Sequence, residues 1–148
     1  MKSTTYVSTN SKILFILSGL VGIIFFSACS KKINFLTSSV VPAARGYVKV
    51  KKDSNKNYNI KLSVNDLAEV NRLDPPKETY VLWMLTNEGN TKNLGRINSS
   101  KNFLSNKLKA SLETVSTFHP VQFFVTAEND AEIQYPGMQY ILSTSNFK

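Results

Sequence analysis

From Gly46 to the end of the chain, apolar residues recur at every second position in short runs broken by turn formers. Nowhere do they hold the 3.6-residue period of a long amphipathic helix. Each run must bury one face against a second layer, which confines the chain to antiparallel all-β architectures. Gly46, Val48 and Val50 alternate with Tyr47, Lys49 and Lys51, and Asp53 to Asn57 is a turn. Ile60, Leu62 and Val64 then alternate with Lys61 and Ser63, so the two runs predict a hairpin with one wet face. Asp66 to Val70 fits a single helical turn or a loop, and Pro75-Pro76 rules out regular structure locally. Thr79 to Thr86 is apolar on both faces and predicts a central strand. Its Trp83, the only tryptophan, is expected in the core rather than against a ligand. After the turn at Asn87 to Asn90, a short strand is expected at Asn93 to Ile97, with Gly95 marking a bulge or a close backbone approach.

The next segment is less regular. Phe103, Leu104, Leu108 and Leu112 have helix-like spacing, whereas Leu112, Thr114 and Ser116 alternate. The expectation is a loop with a turn of helix, then a strand from about Lys109. Val121 to Thr126 reads as a strand, Glu128 to Glu132 as an acidic turn, Pro136-Gly137 as a second turn, and Met138 to Thr144 as the last strand. About seven short strands at regular intervals are the pattern of an antiparallel β-sandwich. No internal repeat is visible.

Ahead of this domain, Lys2 and Lys12 precede the apolar run Ile13 to Phe26, which ends at Ser27-Ala28-Cys29. A basic segment, a short apolar core and small residues at the end form a secretory signal, and the run is short of the ~20 residues a spanning helix needs. The site resembles a bacterial lipobox, in which the cysteine becomes the first mature residue and carries acyl chains such as palmitate. Residues 1–28 are therefore expected to be a lipoprotein signal peptide, Cys29 the lipid attachment site, 29–44 a tether closed by Pro42, and 45–148 the folded domain. An uncleaved membrane anchor is the alternative, and either leaves the rest exported. Ser30 does not call for inner-membrane retention. The expected location is the outer membrane facing the periplasm, with the inner membrane as the alternative.

The chain carries 18 Lys and Arg against 10 Asp and Glu, a net charge of +8. Cleavage removes Lys2 and Lys12 but no acid. Lys31, Lys32, Arg45, Lys49, Lys51, Lys52, Lys56 and Lys61 face only Asp53 in that part of the sequence. They read as a solvated strand face or as a contact for anionic lipid head groups or an acidic envelope polymer. Export and the absence of nucleic-acid-binding motifs argue against nucleic acid.

Catalytic chemistry has little to work with. The single His119 stands beside Pro120, and the single Cys29 lies in the leader region, so neither a metal set nor a thiol nucleophile assembles in the sequence. Glu128, Asp130 and Glu132 could offer oxygens to Ca²⁺, but the EF-hand loop pattern is missing, and a solvated turn with Glu128 bonded to backbone is the expectation. There is no phosphate loop, nucleophile elbow or H-E-x-x-H. No catalytic residue, metal or cofactor is assigned.

Tyr80-Val81-Leu82-Trp83, Leu94-Gly95, Phe118, Val125-Thr126-Ala127-Glu128, Pro136-Gly137 and Leu142-Ser143 together resemble the extracytoplasmic C-terminal domain of the anti-sigma-K factor family. The resemblance spans Gly46 to Ser143 and implies a small immunoglobulin-like sandwich. That family binds its sigma factor through an N-terminal cytoplasmic domain, for which Met1 to Lys12 leave no room. The expected function is a lipid-anchored envelope protein with a non-catalytic binding or sensing module and a protein partner. The alternatives are a binder of small ligands or polysaccharide through Tyr135, Tyr140 and Phe147, an accessory regulator of an extracytoplasmic stress response, and a structural spacer.

Overall fold

The computed structural model describes residues 30–102 and 105–147. The leader, Cys29, Phe103 and Leu104 lie outside the described residues. The rest forms nine strands and one short 3-10 turn. In chain order the strands are β1 (Lys31–Asn34), β2 (Arg45–Lys52), β3 (Tyr58–Leu67), β4 (Thr79–Thr86), β5 (Thr91–Arg96), β6 (Asn98–Asn102), β7 (Ser105–Ser116), β8 (Pro120–Glu128) and β9 (Tyr140–Ser143). They make two antiparallel sheets, ordered β1-β2-β3-β7-β6 and β5-β4-β8-β9. With β1 set aside, β2-β3-β7-β6 facing β5-β4-β8-β9 is the strand order of an immunoglobulin-like sandwich.

The expected hairpin is present, with Val48 opposite Leu62 and Val50 opposite Ile60. Its turn is held by the Asp53 carboxylate, which accepts from the Asn55 and Asn57 amides at 2.9 and 2.8 Å. The inner faces of the two sheets meet in one core, in which Val48, Ile60, Leu82, Met84, Phe123 and Val125 are fully buried. Gly46 is required where β2 lies beside β3 opposite Val64, because a Cβ there would lie 2.6 Å from the Ser63 carbonyl oxygen.

Four stretches differ from expectation. The sheet begins at Lys31, not at Arg45, because Ile33 packs inward opposite Val48, and Val41 and Ala44 are buried behind it. Beyond β1 the chain crosses to the other sheet, where Phe35 bridges Thr144 and the Leu36 amide donates to Ser143 O at 2.8 Å. Most of the presumed tether is thus part of the domain. The helical turn expected within Phe103 to Thr117 is absent from the described residues. Instead, β7 already runs from Ser105, pairing with β3 over nearly its whole length, and that ladder overrides the local spacing. β6, too polar to announce itself, is an unexpected edge strand on β7. It is almost continuous with β5, separated only by Ile97, so one run of chain pairs first with β4 and then crosses to the other sheet. The stretch Asp66 to Val70 divides between the end of β3, past a bulge at Asn65/Leu67, and the 3-10 turn at Val70–Arg72.

Candidate functional site

β4 is buried along both faces, as its sequence predicts, but Trp83 is not in the main core. Alternation puts Tyr80, Leu82 and Met84 inward and Val81 and Trp83 on the outer side of the four-stranded sheet, where they join Phe124 in a second cluster. Trp83 stacks on Phe124 with centroids 6.2 Å apart, and its indole N–H donates to Thr126 Oγ1 at 2.8 Å. That cluster stays dry because residues 129–139, between β8 and β9, fold back over it as a strap, placing Ala131 and Ile133 against it.

The strap is pinned at several points. Asn93 Nδ2 donates to the carbonyls of Ala131 and Ile133 at 2.8 and 2.9 Å. The buried Glu128 carboxyl accepts the Gly137 amide at 2.8 Å, and a Cβ at Gly137 would lie 2.6 Å from Glu128 Oε2. Gln139 Nε2 reaches the carbonyls of Asp74 and Pro75 at 3.3 Å. Gly95, at φ +114°, lies at the bulge opposite Leu82/Trp83, where its amide donates to Asn93 Oδ1 at 2.8 Å and so helps aim that side chain at the strap.

Two large side chains of this strap face water, Tyr135 at 80% exposure and Met138 at 99%, and Tyr140, the first residue of β9, adds a third at 51%. Beside the strap's start is an open polar groove of about 680 Å³, lined by Glu78, Arg96, Asn129, Asp130 and Glu132 among others. These loops share the pole of the sandwich at which β3, β8 and the β5 end of the crossing strand terminate.

Glu128, Asp130 and Glu132 do not converge. Glu128 turns under the strap to Gly137, while Asp130 Oδ1 accepts the Glu132 amide at 3.0 Å. No group of three or more His, Cys, Asp or Glu suited to a metal comes together among the described residues. His119 is on the opposite pole, its ring 5.4 Å from that of Tyr58. Phe147 is also there, half-buried on Phe123 with centroids 5.6 Å apart, so it is separated from Tyr135 and Tyr140. Burial pushes the Tyr80 phenol up from its ordinary value, and its O–H donates to Ala68 O at 3.0 Å. Among the described residues no helix is long and apolar enough to cross a membrane. The strap was invisible as a lid in the sequence. Its signal was the need of Trp83 and Val81 for cover, which Ala131 and Ile133 meet. No protein-family model matches this chain, and neither does any curated protein or solved structure.

Proposed function

We propose that the protein is a lipid-anchored component of a bacterial cell envelope whose sandwich is a non-catalytic module for binding or sensing another protein. The observation that carries this reading is the position of Cys29. It closes a signal-like apolar run and stands two residues before the first strand. Acyl chains on that cysteine hold a protein stably when two or more are present, at about 0.8 kcal/mol per buried methylene. The exposed Tyr135, Met138 and Tyr140 supply the contact surface, because the hydrogen-bonded strap presents them on a backbone that is already ordered. The likeness to the anti-sigma-K extracytoplasmic domain supports an envelope role and supplies no catalytic residue.

The test is the intact mass of the membrane-extracted protein beside a Cys29→Ser control. The expected mass is that of a chain starting at an acylated Cys29, lost in the control. A full-length unlipidated mass would end the lipoprotein reading. For the contact surface, a photo-crosslinker at position 135 is expected to trap one discrete partner in native membranes that a crosslinker at position 109 does not.

A second reading, a glycan or small-ligand binder, is favoured by one feature, the exposure of Tyr135 on the strap that borders the polar groove and of Tyr140 where that strap enters β9. A thermal-shift series with envelope glycans that leaves the melting temperature unmoved counts against it.

A further inference from the structure

Strand direction sorts the molecule into two poles. β1 starts, β2 and β7 end, and β8 starts at one of them, together with the turns 53–57 and 87–90 and the loop 117–119. Six lysines lie there, Lys31, Lys32, Lys51, Lys52, Lys56 and Lys92, against Asp53 and Glu88. Asp53 is already bonded to its own turn, and Glu88 to the Asn90 side chain at 3.4 Å. Seven of the ten acids, Asp66, Glu69, Asp74, Glu78, Glu128, Asp130 and Glu132, lie at the other pole, in its loops or at the ends of β3 and β8.

The register explains how this end is built. Lys31 pairs with Val50 and Lys52 with Tyr58, so both lysines continue the inward-facing rows Ile33-Lys31 and Val48-Val50-Lys52. The apolar inner faces therefore end in two lysines, whose stems cover apolar surface while their heads reach outward. Between the sheets they rim a shallow hollow of about 170 Å³ floored by Val50, Tyr58, Pro120 and Phe147. The ammonium groups of Lys31, Lys52 and Lys92 lie 5.1, 5.4 and 4.6 Å from the ring centres of Phe147, Tyr58 and Phe118. Phe118 is itself 41% exposed.

Resting on the lipid-anchor reading, we infer that this lysine-and-aromatic pole lies on the anionic head groups of the membrane holding Cys29 and fixes the domain upright, with the strap outward. The chain length leaves little alternative placement, since the two residues from Cys29 to Lys31 span at most about 7 Å when fully extended. Positive charge beside apolar rings suits the boundary between charged head groups and acyl chains.

The experiment reconstitutes the membrane-extracted full chain into neutral phosphatidylcholine vesicles or vesicles rich in phosphatidylglycerol. Flotation and the rate of lysine acetylation are then measured. Flotation with both vesicles, with acetylation of Lys31, Lys52, Lys56 and Lys92 slowed several-fold only on the anionic ones and restored by salt, is expected. Lys61 and Lys109 should react alike on both. A combined Lys52→Ser, Lys56→Ser and Lys92→Ser variant should lose the remaining protection at Lys31, whereas Lys61→Ser with Lys109→Ser should keep it. Flotation with both but equal acetylation overturns the inference and leaves the anchor standing. Flotation with anionic vesicles alone, at low salt, overturns the anchor and keeps the basic pole. Flotation with neither overturns both. Protection by dextran sulfate but not by anionic vesicles would assign the pole to a soluble polyanion and overturn the lipid contact.

Discussion

The five-stranded sheet turns Lys49, Lys61 and Glu113 to water, whereas the four-stranded sheet turns Val81, Trp83 and Phe124 to its outer side and keeps them dry under the strap. The first sheet needs one covering layer, the second needs two. The difference shows that the strap serves as a structural layer as well as a connection between β8 and β9. The backbone of that layer is held in place by Asn93 and Glu128, which fixes where its exposed side chains start. On the wet face of the first sheet, the Lys61–Glu113 pair at 2.7 Å is more than half exposed at both ends and is worth at most about 1 kcal/mol.

The sharpest way to break this contrast is Trp83→Ala. With the strap acting as a true layer, the loss should be about 3–5 kcal/mol in urea denaturation, comparable with that for Leu82→Ala on the inner face. A loss below about 1 kcal/mol would mean that the strap merely rests on the sheet. Next comes Glu128→Ala, which strands the Gly137 amide and should cost about 1–3 kcal/mol. Amides of the strap should exchange faster in that variant, while those of the β2–β3 hairpin should not.

A third test uses the inner face shared by both sheets. Tyr80→Phe should cost about 1 kcal/mol near neutral pH, where it strands the Ala68 carbonyl. The folded state holds the Tyr80 proton more tightly than the unfolded chain, whose phenol titrates near pH 10. Its contribution is thus complete below about pH 10 and is lost as pH rises from there toward the higher folded value. The two proteins should therefore converge in stability on the alkaline side, and parallel pH curves would refute this. The smallest effect is expected for Lys61→Ala, within about 0.5 kcal/mol of the parent.

Much of the fold was legible in the sequence because alternation reports burial directly. The β2–β3 hairpin, the doubly buried β4, the bulge at Gly95, β8 and β9 all follow from residue periodicity and turn chemistry. What stayed hidden depended on partners distant in sequence. β6, with its run Asn98-Ser99-Ser100-Lys101-Asn102, has no apolar row and exists because β7 offers it an edge. β1 shows only Ile33 as a buried residue, and its docking depends on Val48 and on Thr144 at the far end of the chain. Trp83 was rightly expected to be buried, but alternation does not say which face will be covered by which loop. At the candidate site, Tyr135 and Tyr140 could be singled out from the sequence. Met138 could not, because its exposure follows from the path of the strap and not from any motif.

The early docking of β1 also sets how the domain would respond to tension. Lys31 lies at one pole and the strap's outer end at the other, and β1 runs along the axis between them, bonded side by side to β2. A pull between Cys29 and a partner held at the strap would run along the strands. It would load the β1–β2 hydrogen bonds together, in shear, rather than peel them one at a time. The crossing of the chain from Asn34 to the Thr144 edge passes part of that load into the second sheet. Were the chain tethered at Cys29 as proposed, such a pull would drag the whole sandwich without first unravelling its tethered end.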